Sequence, residues 1–456
     1  MTDSPTRRPR VRATTARSLV VAAALLPISA VIPAGLASAH SYTTWTVSPG
    51  QSIQDAVDKA SSGDVISLEA GTYAHQAVCV VGKGLTIVGA GRDQTKITWP
   101  QWTSPDVVDQ QGNVVTPGDQ ADAPVAGNAC WQDWASHDPE SVGDPATQHG
   151  LADDVSALFF LHPDSPVTVS GLTTVNHPAN GIVTEYGNGF SVTGTRGVAH
   201  DRYGILASAT TNSLIKDNAE IGKDRGTADA PNSGTAGIGV SDTPVANALV
   251  KDNYSQGWNL GVFVREARTG AVVGNTVTGN CVGFNFFDDT NTEVPPNPAS
   301  TIAAGAWAVV ANTSVDNHRF CLAGIGQVQA SLRVSGTGMD VVNMDSVLIK
   351  DNVIKNNSPR SDIDPTSLQF PPGGLTLLTL AAFNTTTPNA AGPISKIGVI
   401  GNTITGNVPW DILMGPPPGA TPENSGLSPV TEQGNQIVFD DNTCGSSFPP
   451  GTAGCG

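Results

Sequence analysis

Leu214-Ile215-Lys216-Asp217-Asn218 is the first of seven copies of one pattern, in which two adjacent apolar residues precede one or two small or charged residues and then asparagine. The later copies end at Asn253, Asn275, Asn312, Asn352, Asn402 and Asn442. Strand-like segments also open with glycine at Gly181, Gly204, Gly237, Gly261 and Gly283. This repeat predicts a solenoid of short parallel strands whose core is shared between neighbouring coils. Asparagine suits the turn because it tolerates a left-handed conformation and bonds the next amide.

The pattern resembles the right-handed parallel β-helix superfamily that contains pectate lyases and their relatives. The resemblance covers roughly residues 47–445 and implies an all-β, single-stranded, right-handed parallel β-helix solenoid. It does not identify an activity, because the same scaffold carries lyases, hydrolases, esterases, epimerases and adhesins.

One β-helix domain is predicted over residues 40–456, because the repeat continues on both sides of every interruption. Ser52 begins a variant capping box, and the apolar residues that follow it lie on one helical face, so a helix over 52–60 is expected to cap the N-terminal end. The coils are expected over about 155–445. Long inserted loops, rich in Pro, Gly, Ser and Thr or in Trp, are expected at 99–150, 223–236, 289–304, 357–373 and 413–434.

Residues 1–39 have the features of a signal peptide. Five arginines precede an apolar stretch over 19–36, and Ala37-Ser38-Ala39 supplies a small-residue cleavage site. The alternative is a membrane anchor, but Pro27, Pro33 and Gly35 interrupt a run that is already short for a bilayer span. The protein is therefore expected to be secreted and extracellular, with no membrane association after cleavage, and to be a monomer.

The chain is acidic, with a formal charge of −17 at pH 7. Cleavage would remove five Arg and one Asp from 23 basic and 40 acidic residues, which leaves 18 and 39 and a charge of −21. Such a protein repels polyanions, so nucleic acid is excluded as a partner. An anionic polysaccharide would need a bridging cation or a local basic patch.

Six cysteines in an exported chain are expected to pair. Cys281 and Cys321 stand at similar distances before Gly283 and Gly324, which would place them one coil apart and within disulfide reach. Cys444 and Cys455 would close the C-terminal end at 437–456. Cys79 and Cys130 then pair by elimination.

Aligning the coils on their opening glycines places Asp242, Glu266 and Asp288 on three consecutive coils, about 5 Å apart. Glu185 and Arg265 stand one position earlier on their own coils. Like charges at this spacing raise each other's pKa unless a cation intervenes. Arg265 and Arg268 could neutralise the stack, calcium could be shared by it, or two of its carboxylates could cleave a glycosidic bond.

His177 and His200 each precede a coil-opening glycine by four residues, so they too are expected to stack. His200-Asp201-Arg202 offers an imidazole, a carboxylate and a guanidinium for a general base and uronate binding, although a His-Asp pair in a turn also serves as a hydrogen-bonded structural unit. The insertion at 99–150 contains four tryptophans that could stack on sugar rings or form a small core of their own: Trp99, Trp102, Trp131 and Trp134.

The motifs of the known enzymes in this superfamily are largely missing. Of the polygalacturonase segments, Asp288-Asp289 matches the paired Asp, whereas Gly-His-Gly and Arg-Ile-Lys do not occur. Two hypotheses follow. One is a secreted enzyme acting on polysaccharide, whether lyase, epimerase or glycoside hydrolase, with Glu185, His200, Asp201, Arg202, Arg265, Glu266 and Asp288 as candidate catalytic residues. The other is a non-catalytic extracellular binding or scaffold protein.

Overall fold

Each apolar pair of the repeat lies in a short strand, and each coil of the chain contributes strands to three parallel sheets in the computed structural model. The structure describes residues 42–100, 107–108, 114–116, 130, 155–223, 234–290, 301–325, 328–368, 370–380, 391–420 and 425–455. The chain from Tyr42 onward forms one compact unit.

The strands are numbered along the chain and assigned to sheets by their pairing. Sheet 1 contains β1 Thr44–Val47, β2 Val65–Leu68, β5 Thr86–Gly89, β10 Val167–Ser170, β13 Asn188–Thr193, β16 Thr211–Lys216, β19 Ala248–Lys251, the second half of β21 Leu260–Val273, β24 Gly305–Val310, β29 Asp345–Lys350, β32 Gly398–Ile400 and β36 Val438–Asp440. Sheet 2 contains β3 Gly71–Ala74, β6 Thr95–Thr98, β11 Thr173–Val175, β14 Arg196–Val198, β17 Ala219–Ile221, β20 Tyr254–Gln256, β22 Thr276–Thr278, β25 Thr313–Val315, β30 Val353–Lys355, β33 Thr403–Thr405 and β37 Thr443–Cys444.

Sheet 3 contains β4 Val78–Val81, β9 Leu158–Leu161, β12 Ile182–Glu185, β15 Tyr203–Ser208, β18 Ala236–Thr243, the first half of β21, β23 Val282–Phe287, β28 Thr337–Val342, β31 Gly373–Leu380, β34 Ile412–Met414 and β38 Ser447–Phe448. Two antiparallel pairs lie within insertions, namely β7 Val107–Val108 with β8 Val114–Thr116 and β26 Phe320–Ile325 with β27 Val328–Ser335. A third joins the inserted strand β35 Leu427–Ser428 to the end of the coil strand β31. Short 3-10 turns lie at Pro365–Ser367 and Thr452–Gly454.

The core lies inside the coils. Pairing in sheet 3 aligns one inward position through eight strands, occupied by Ile182, Ile205, Ile238, Val262, Phe284, Met339, Leu375 and Ile412. All eight are at most 1% exposed and belong to one hydrophobic cluster. Side chains alternate between the two faces of a strand, so the intervening residues point outward. The predicted parallel β-helix is confirmed.

The asparagines of the repeat form a ladder at the corner between sheets 1 and 2. Each Nδ2 donates to the Oδ1 of the next, from Asn218 to Asn253 at 3.0 Å and onward to Asn402 and Asn442 at 2.9 Å. One detail of the prediction is wrong. The left-handed conformation falls on the residue before each asparagine, such as Asp217 at φ 57° and Ala311 at φ 54°, because the asparagine itself must direct its amide inward.

A second ladder, which the sequence reading missed, lies at the corner between sheets 2 and 3. Asn280, Asn317, Asn357 and Asn407 are linked in the same way, and Asp411 Oδ1 accepts from the last amide at 3.0 Å. These four asparagines stand five residues after those of the first ladder and carry no preceding apolar pair. That spacing was the signal available in the sequence.

The N-terminal cap is confirmed as helix α1, Ile53–Lys59, with Ser52 Oγ accepting from the Asp55 amide at 3.0 Å. Gln54 covers the free edge of β4, because its side chain accepts from the Cys79 amide at 2.8 Å and donates to the Cys79 carbonyl at 2.9 Å. Such a cap removes an edge that would template aggregation. Strand β1 precedes the helix and was not predicted.

The three predicted disulfides are confirmed. Cys79–Cys130, Cys281–Cys321 and Cys444–Cys455 have Cα separations of 5.8, 6.0 and 5.2 Å. Cys281 and Cys321 attach the β26–β27 hairpin to the corner before β23. The register from which this pair was predicted is wrong, because Gly324 lies in the antiparallel hairpin and does not open a coil, and β23 pairs with β28 instead.

Candidate functional site

The outer face of sheet 3 is covered in two regions and partly open between them. Towards the N-terminal end, Val183 and Leu206 are buried in a cluster with Cys130 and Phe159. Towards the C-terminal end, the cover is a cluster formed by residues of the sheet and of the insertions, including Phe287, Cys321, Val334, Val342, Phe370 and Leu378. Between the covers lies a half-buried group that we term the window, formed by Tyr203, Ser208, Asp242, Phe263 and Arg265.

Arg265 is the centre of the charged part of the window. Its Nε donates to Asp289 Oδ1 at 3.0 Å and its Nη2 to Asp289 Oδ2 at 2.9 Å, which is a two-point ion pair. The guanidinium also lies 3.7 Å from Asp242 Oδ1 and 3.8 Å from Glu266 Oε1. Three carboxylates therefore surround one guanidinium.

Hydroxyl groups extend this network. Ser208 Oγ donates to Asp242 Oδ2 at 2.9 Å, and Ser241 Oγ donates to the same oxygen. Burial and, to a smaller extent, the negative charge of Asp242 raise the pKa of Tyr203 to about 12 against the opposing effects of Arg265 and Arg202. Gly239 leaves room for the Tyr203 ring, because a Cβ there would lie 2.8 Å from a ring carbon.

The predicted stack of Asp242, Glu266 and Asp288 has the expected strand register, since Ser241 pairs with Arg265 and Arg265 with Phe287. The three carboxylates do not share one environment, however. Asp242 is half-buried, whereas Glu266 and Asp288 are 0% exposed. Strand register constrains the backbone and leaves the direction of each side chain to its local contacts.

Asp288 has a local structural contact that the sequence did not reveal. Its two carboxylate oxygens accept from the amides of Thr290 and Ala304 at 3.1 and 3.0 Å, so it joins the two ends of the insertion at 289–304. Burial raises its pKa to about 6 despite these bonds. Asp289, which was not among the predicted site residues, is the neighbour that binds Arg265.

Arg268 does not neutralise the stack. Its Nη1 lies 2.6 Å from Asp345 Oδ1 and 3.0 Å from the Ala303 carbonyl. Arg265, in contrast, lies beside Asp242 and Glu266, as the neutralisation hypothesis expected. No group of three or more His, Cys, Asp or Glu within the described ranges could hold a metal ion. Calcium shared by Asp242, Glu266 and Asp288 stays a prediction, with Arg265 already beside two of them.

Glu185 lies on the same outer face, in register with Ser208 one coil later and Ser241 two coils later. It is 5% exposed and belongs to the covered part of the face. The structure therefore places it beside the window and about 10 Å from the Ser241 position, at two strand spacings.

His177 and His200 stack as predicted, with ring centroids 5.4 Å apart. Both are buried at the corner between sheets 2 and 3. His200 Nε2 bonds with Thr174 Oγ1 at 2.9 Å, and its Nδ1 accepts from the His177 amide at 3.2 Å. The six residues of β15, about 20 Å, separate this corner from Asp242. The structure does not bring His200 to the carboxylates.

Asp201 and Arg202 follow His200 and are half-buried, with their amides bonded to the carbonyls of His177 and Ala179. Trp99 is 9% exposed, and its ring lies edge-on to His75 at 4.4 Å and 6.1 Å from His177. Trp99 thus packs at this corner rather than presenting a face to a ligand. Trp102, Trp131 and Trp134 lie outside the described residues.

Two buried acidic residues were missed by the sequence reading. Asp340 lies on the outer face of β28, between Asn285 and Thr376 on the neighbouring strands. Glu220 lies inside the coils at the middle of β17, where it is 1% exposed. The sequence signal was a charged residue at a position that the neighbouring coils fill with uncharged side chains.

No family model matches this sequence, and no curated protein sequence matches it. Solved structures with a similar chain path include the catalytic domain of a GH87 alpha-1,3-glucanase in complex with nigerose, at 13% identity and a TM-score of 0.41 over 92% of this chain and 68% of that one. The A-module of mannuronan C-5 epimerase AlgE6 of Azotobacter vinelandii matches at 13% identity and a TM-score of 0.45, over 86% of this chain and 88% of that one. A double mutant of the periplasmic alginate epimerase AlgG matches at 13% identity and a TM-score of 0.40, over 88% of this chain and 82% of that one.

Proposed function

We propose that the protein is a secreted carbohydrate-active protein that binds an uncharged polysaccharide across the window. The observation that carries the proposal is the group of half-buried aromatic, hydroxyl and charged side chains on the partly open stretch of the described outer face of sheet 3 between the two covers. Sugar rings offer apolar faces to aromatic side chains and hydroxyls to polar ones. Tyr203 and Phe263 supply the first kind of contact, and Ser208 and Asp242 supply the second.

The charge of the chain selects the substrate class. A formal charge of −17 repels polyuronates, and Arg265, the cation of the window, is already bound in two points to Asp289. Lyases and C-5 epimerases act on uronates. An uncharged glycan avoids this repulsion, and the chemistry that fits it is glycosidic bond hydrolysis.

The carboxylates around Arg265 lie close enough together to act on one glycosidic bond. Asp242 and Asp289 contact different nitrogens of the same guanidinium at 3.7 and 2.9 Å, so these oxygens lie no more than about 9 Å apart, an upper limit that is compatible with the carboxylate separations of glycosidases. Asp242 is the more exposed of the two, with 16% of its side chain accessible against 2% for Asp289. We assign to Asp242 the contact with substrate.

The second candidate is a non-catalytic extracellular binding or scaffold protein. The observation that favours it is that the polar groups of the window already bond to one another. Arg265 donates two hydrogen bonds to Asp289, and two serine hydroxyls donate to Asp242. In that case the window binds glycan without cleaving it.

The test measures binding and cleavage of soluble uncharged glucans, mannans and xylans, with alginate and polygalacturonate as charged comparisons. Phe263→Ala is expected to weaken glycan binding about tenfold, since a stacked aromatic contributes up to about 1.5 kcal/mol. Tyr254→Ala is the matched control, because Tyr254 is a half-buried aromatic on the outer face of sheet 2. It should bind as the wild type does.

Asp242→Asn should abolish cleavage while leaving glycan binding measurable. If Asp242→Asn binds glycan and the wild type releases no reducing sugar from any substrate, the scaffold function is correct. If no glycan binds, or if Phe263→Ala and Tyr254→Ala weaken binding equally, the window is not the site.

A further inference from the structure

A serine, a histidine and an aspartate meet at the exposed corner between sheets 2 and 3. Asn317 and Asn357 of the second ladder lie on neighbouring coils, so the residues that follow them, His318 and Ser358, stand side by side. Ser358 Oγ lies 3.0 Å from His318 Nδ1, and Asp316 Oδ1 lies 3.8 Å from His318 Nε2. One imidazole therefore has a hydroxyl beside one ring nitrogen and a carboxylate beside the other, which is the arrangement of a nucleophile, a base and an orienting group.

Rigid neighbours hold the serine in place. Asn357, the residue before Ser358, is bonded within the second ladder on both sides. A Cβ on Gly336 would overlap the Ser358 carbonyl group, so the end of the β26–β27 hairpin packs directly against the serine. The Cys281–Cys321 disulfide fixes that hairpin. A serine held in this way keeps its geometry better than one on an unsupported loop.

The contacts of the imidazole indicate the direction of its hydrogen bonds. His318 Nδ1 lies 3.0 Å from Ser358 Oγ and 3.4 Å from the Ser358 carbonyl oxygen. The carboxylate of Asp316 beside Nε2 favours the tautomer with the proton on Nε2. Nδ1 then accepts from the serine hydroxyl, which is the direction that a general base requires. The 3.8 Å contact to Asp316 is longer than a hydrogen bond, and such contacts often shorten when a substrate binds.

The corner is open to a substrate and offers a donor for an oxyanion. The side chains of His318 and Asp316 are 47% and 56% exposed, and Ser358 is half-buried. The Ser358 amide bonds to no acceptor in the part of the chain that the structure describes. In acyl transfer the amide of the nucleophile itself donates to the oxygen on which negative charge develops. Val408 follows the ladder asparagine of the next coil and is 49% exposed, so it offers an apolar contact to a small acyl group.

We propose that Ser358, His318 and Asp316 form an acyl-transfer site that hydrolyses small carboxylic esters such as acetyl esters. Ser358 Oγ bonds to the ester carbonyl carbon and passes its proton to His318 Nδ1. The ester C–O bond then breaks, and His318 returns the proton to the leaving alcohol. Water attacks the acyl-serine with His318 again as the base, which releases the carboxylic acid and restores the serine hydroxyl. Asp316 is a positioning residue, because it orients the imidazole and stabilises its cationic form.

This activity does not depend on glycan binding at the window, so its test needs no glycan. The whole protein, with its disulfides intact, is treated with a fluorophosphonate, which labels nucleophilic serines, and is assayed for hydrolysis of p-nitrophenyl acetate. Peptide mapping is expected to find the label on Ser358. Ser358→Ala and His318→Gln should each lower kcat/KM at least about a hundredfold, because general-base catalysis contributes about 10²–10⁴-fold. The control is Ser61→Ala, an exposed serine near the N-terminal cap, which should leave labelling and hydrolysis unchanged.

Asp316→Asn tests the positioning role. Asp316 has φ 54°, a conformation that asparagine also tolerates, so the variant should fold with an unchanged melting temperature. It should lower kcat at least about tenfold with little change in KM, and Asp316→Glu should restore part of that loss. A label on no serine or on a different serine would overturn the proposal. So would hydrolysis that persists in Ser358→Ala or in His318→Gln, or an Asp316→Asn variant as active as the wild type.

Discussion

Glu220 shows at the scale of one residue how the solenoid accommodates a charge-bearing side chain in its core. Its carboxyl fills space left by Gly197 and Gly204, because a Cβ on either glycine would overlap Glu220 Oε2. Both carboxyl oxygens are buried without a hydrogen-bond partner among the described residues. Burial raises the pKa of Glu220 well above its usual value. The carboxyl group of Glu220 is therefore neutral in the folded protein at pH values at which it is ionised in the unfolded chain.

This shift predicts a pH dependence of stability. Because the folded-state pKa is the higher one, the contribution of Glu220 is fully present below its unfolded pKa and is lost as pH rises towards the folded pKa, by about 1.4 kcal/mol per pH unit. Glu220→Gln cannot ionise, so its unfolding free energy should exceed that of the wild type increasingly as pH rises above the pKa of an unfolded glutamate. Urea unfolding measures this. The exposed Glu69 provides the control substitution Glu69→Gln. A difference that stays constant with pH would contradict the assignment.

At the scale of the element, the corner between sheets 1 and 2 depends on its amide ladder. Asn275 accepts from the amide and the side chain of Asn253 at 2.9 Å and donates to Asn312 Oδ1 at 3.0 Å and to the Val250 carbonyl at 2.9 Å. These groups are buried, so removing the amide leaves several of them unpaired at once.

We expect Asn275→Ala to lower the free energy of unfolding by about 3 kcal/mol, with glycan binding in the folded protein unchanged. Asn188→Ala is the matched control, because Asn188 is an exposed asparagine whose side chain accepts only from exposed partners, and it should change stability by no more than about 0.5 kcal/mol. Equal losses in the two variants would show that the ladder adds nothing specific to stability.

At the scale of the whole molecule, the predicted export is consistent with the disulfides, the charge and the proposed ligand. No helix in the described part of the chain is long and apolar enough to cross a bilayer. We expect the secreted protein to begin at His40, with a charge of about −21 after loss of the leader. Intact-mass measurement of protein from the culture medium tests this. A mass that retains residues 1–39 would contradict the cleavage prediction.

The sequence by itself determined the architecture of stacked parallel coils. Apolar pairs, coil-opening glycines and asparagines recur at fixed positions, and parallel strands transmit that register from coil to coil, so the inward residues, the first amide ladder and the cap helix were all predictable. The stack of His177 and His200 followed from the same spacing. Each of these features depends on local pattern and on contact between adjacent coils.

The tertiary structure alone decided which part of the outer face is open and what each carboxyl group contacts. The insertions that cover sheet 3 have no repeat, so their positions over Phe287 and Leu378 could not be read from spacing. Asp288 and Asp289 are adjacent in the chain, yet one joins the ends of an insertion and the other binds Arg265. Asp340 acquires its raised pKa only through that cover. Burial and charge pairing depend on residues that are distant in sequence, which a one-dimensional repeat does not encode.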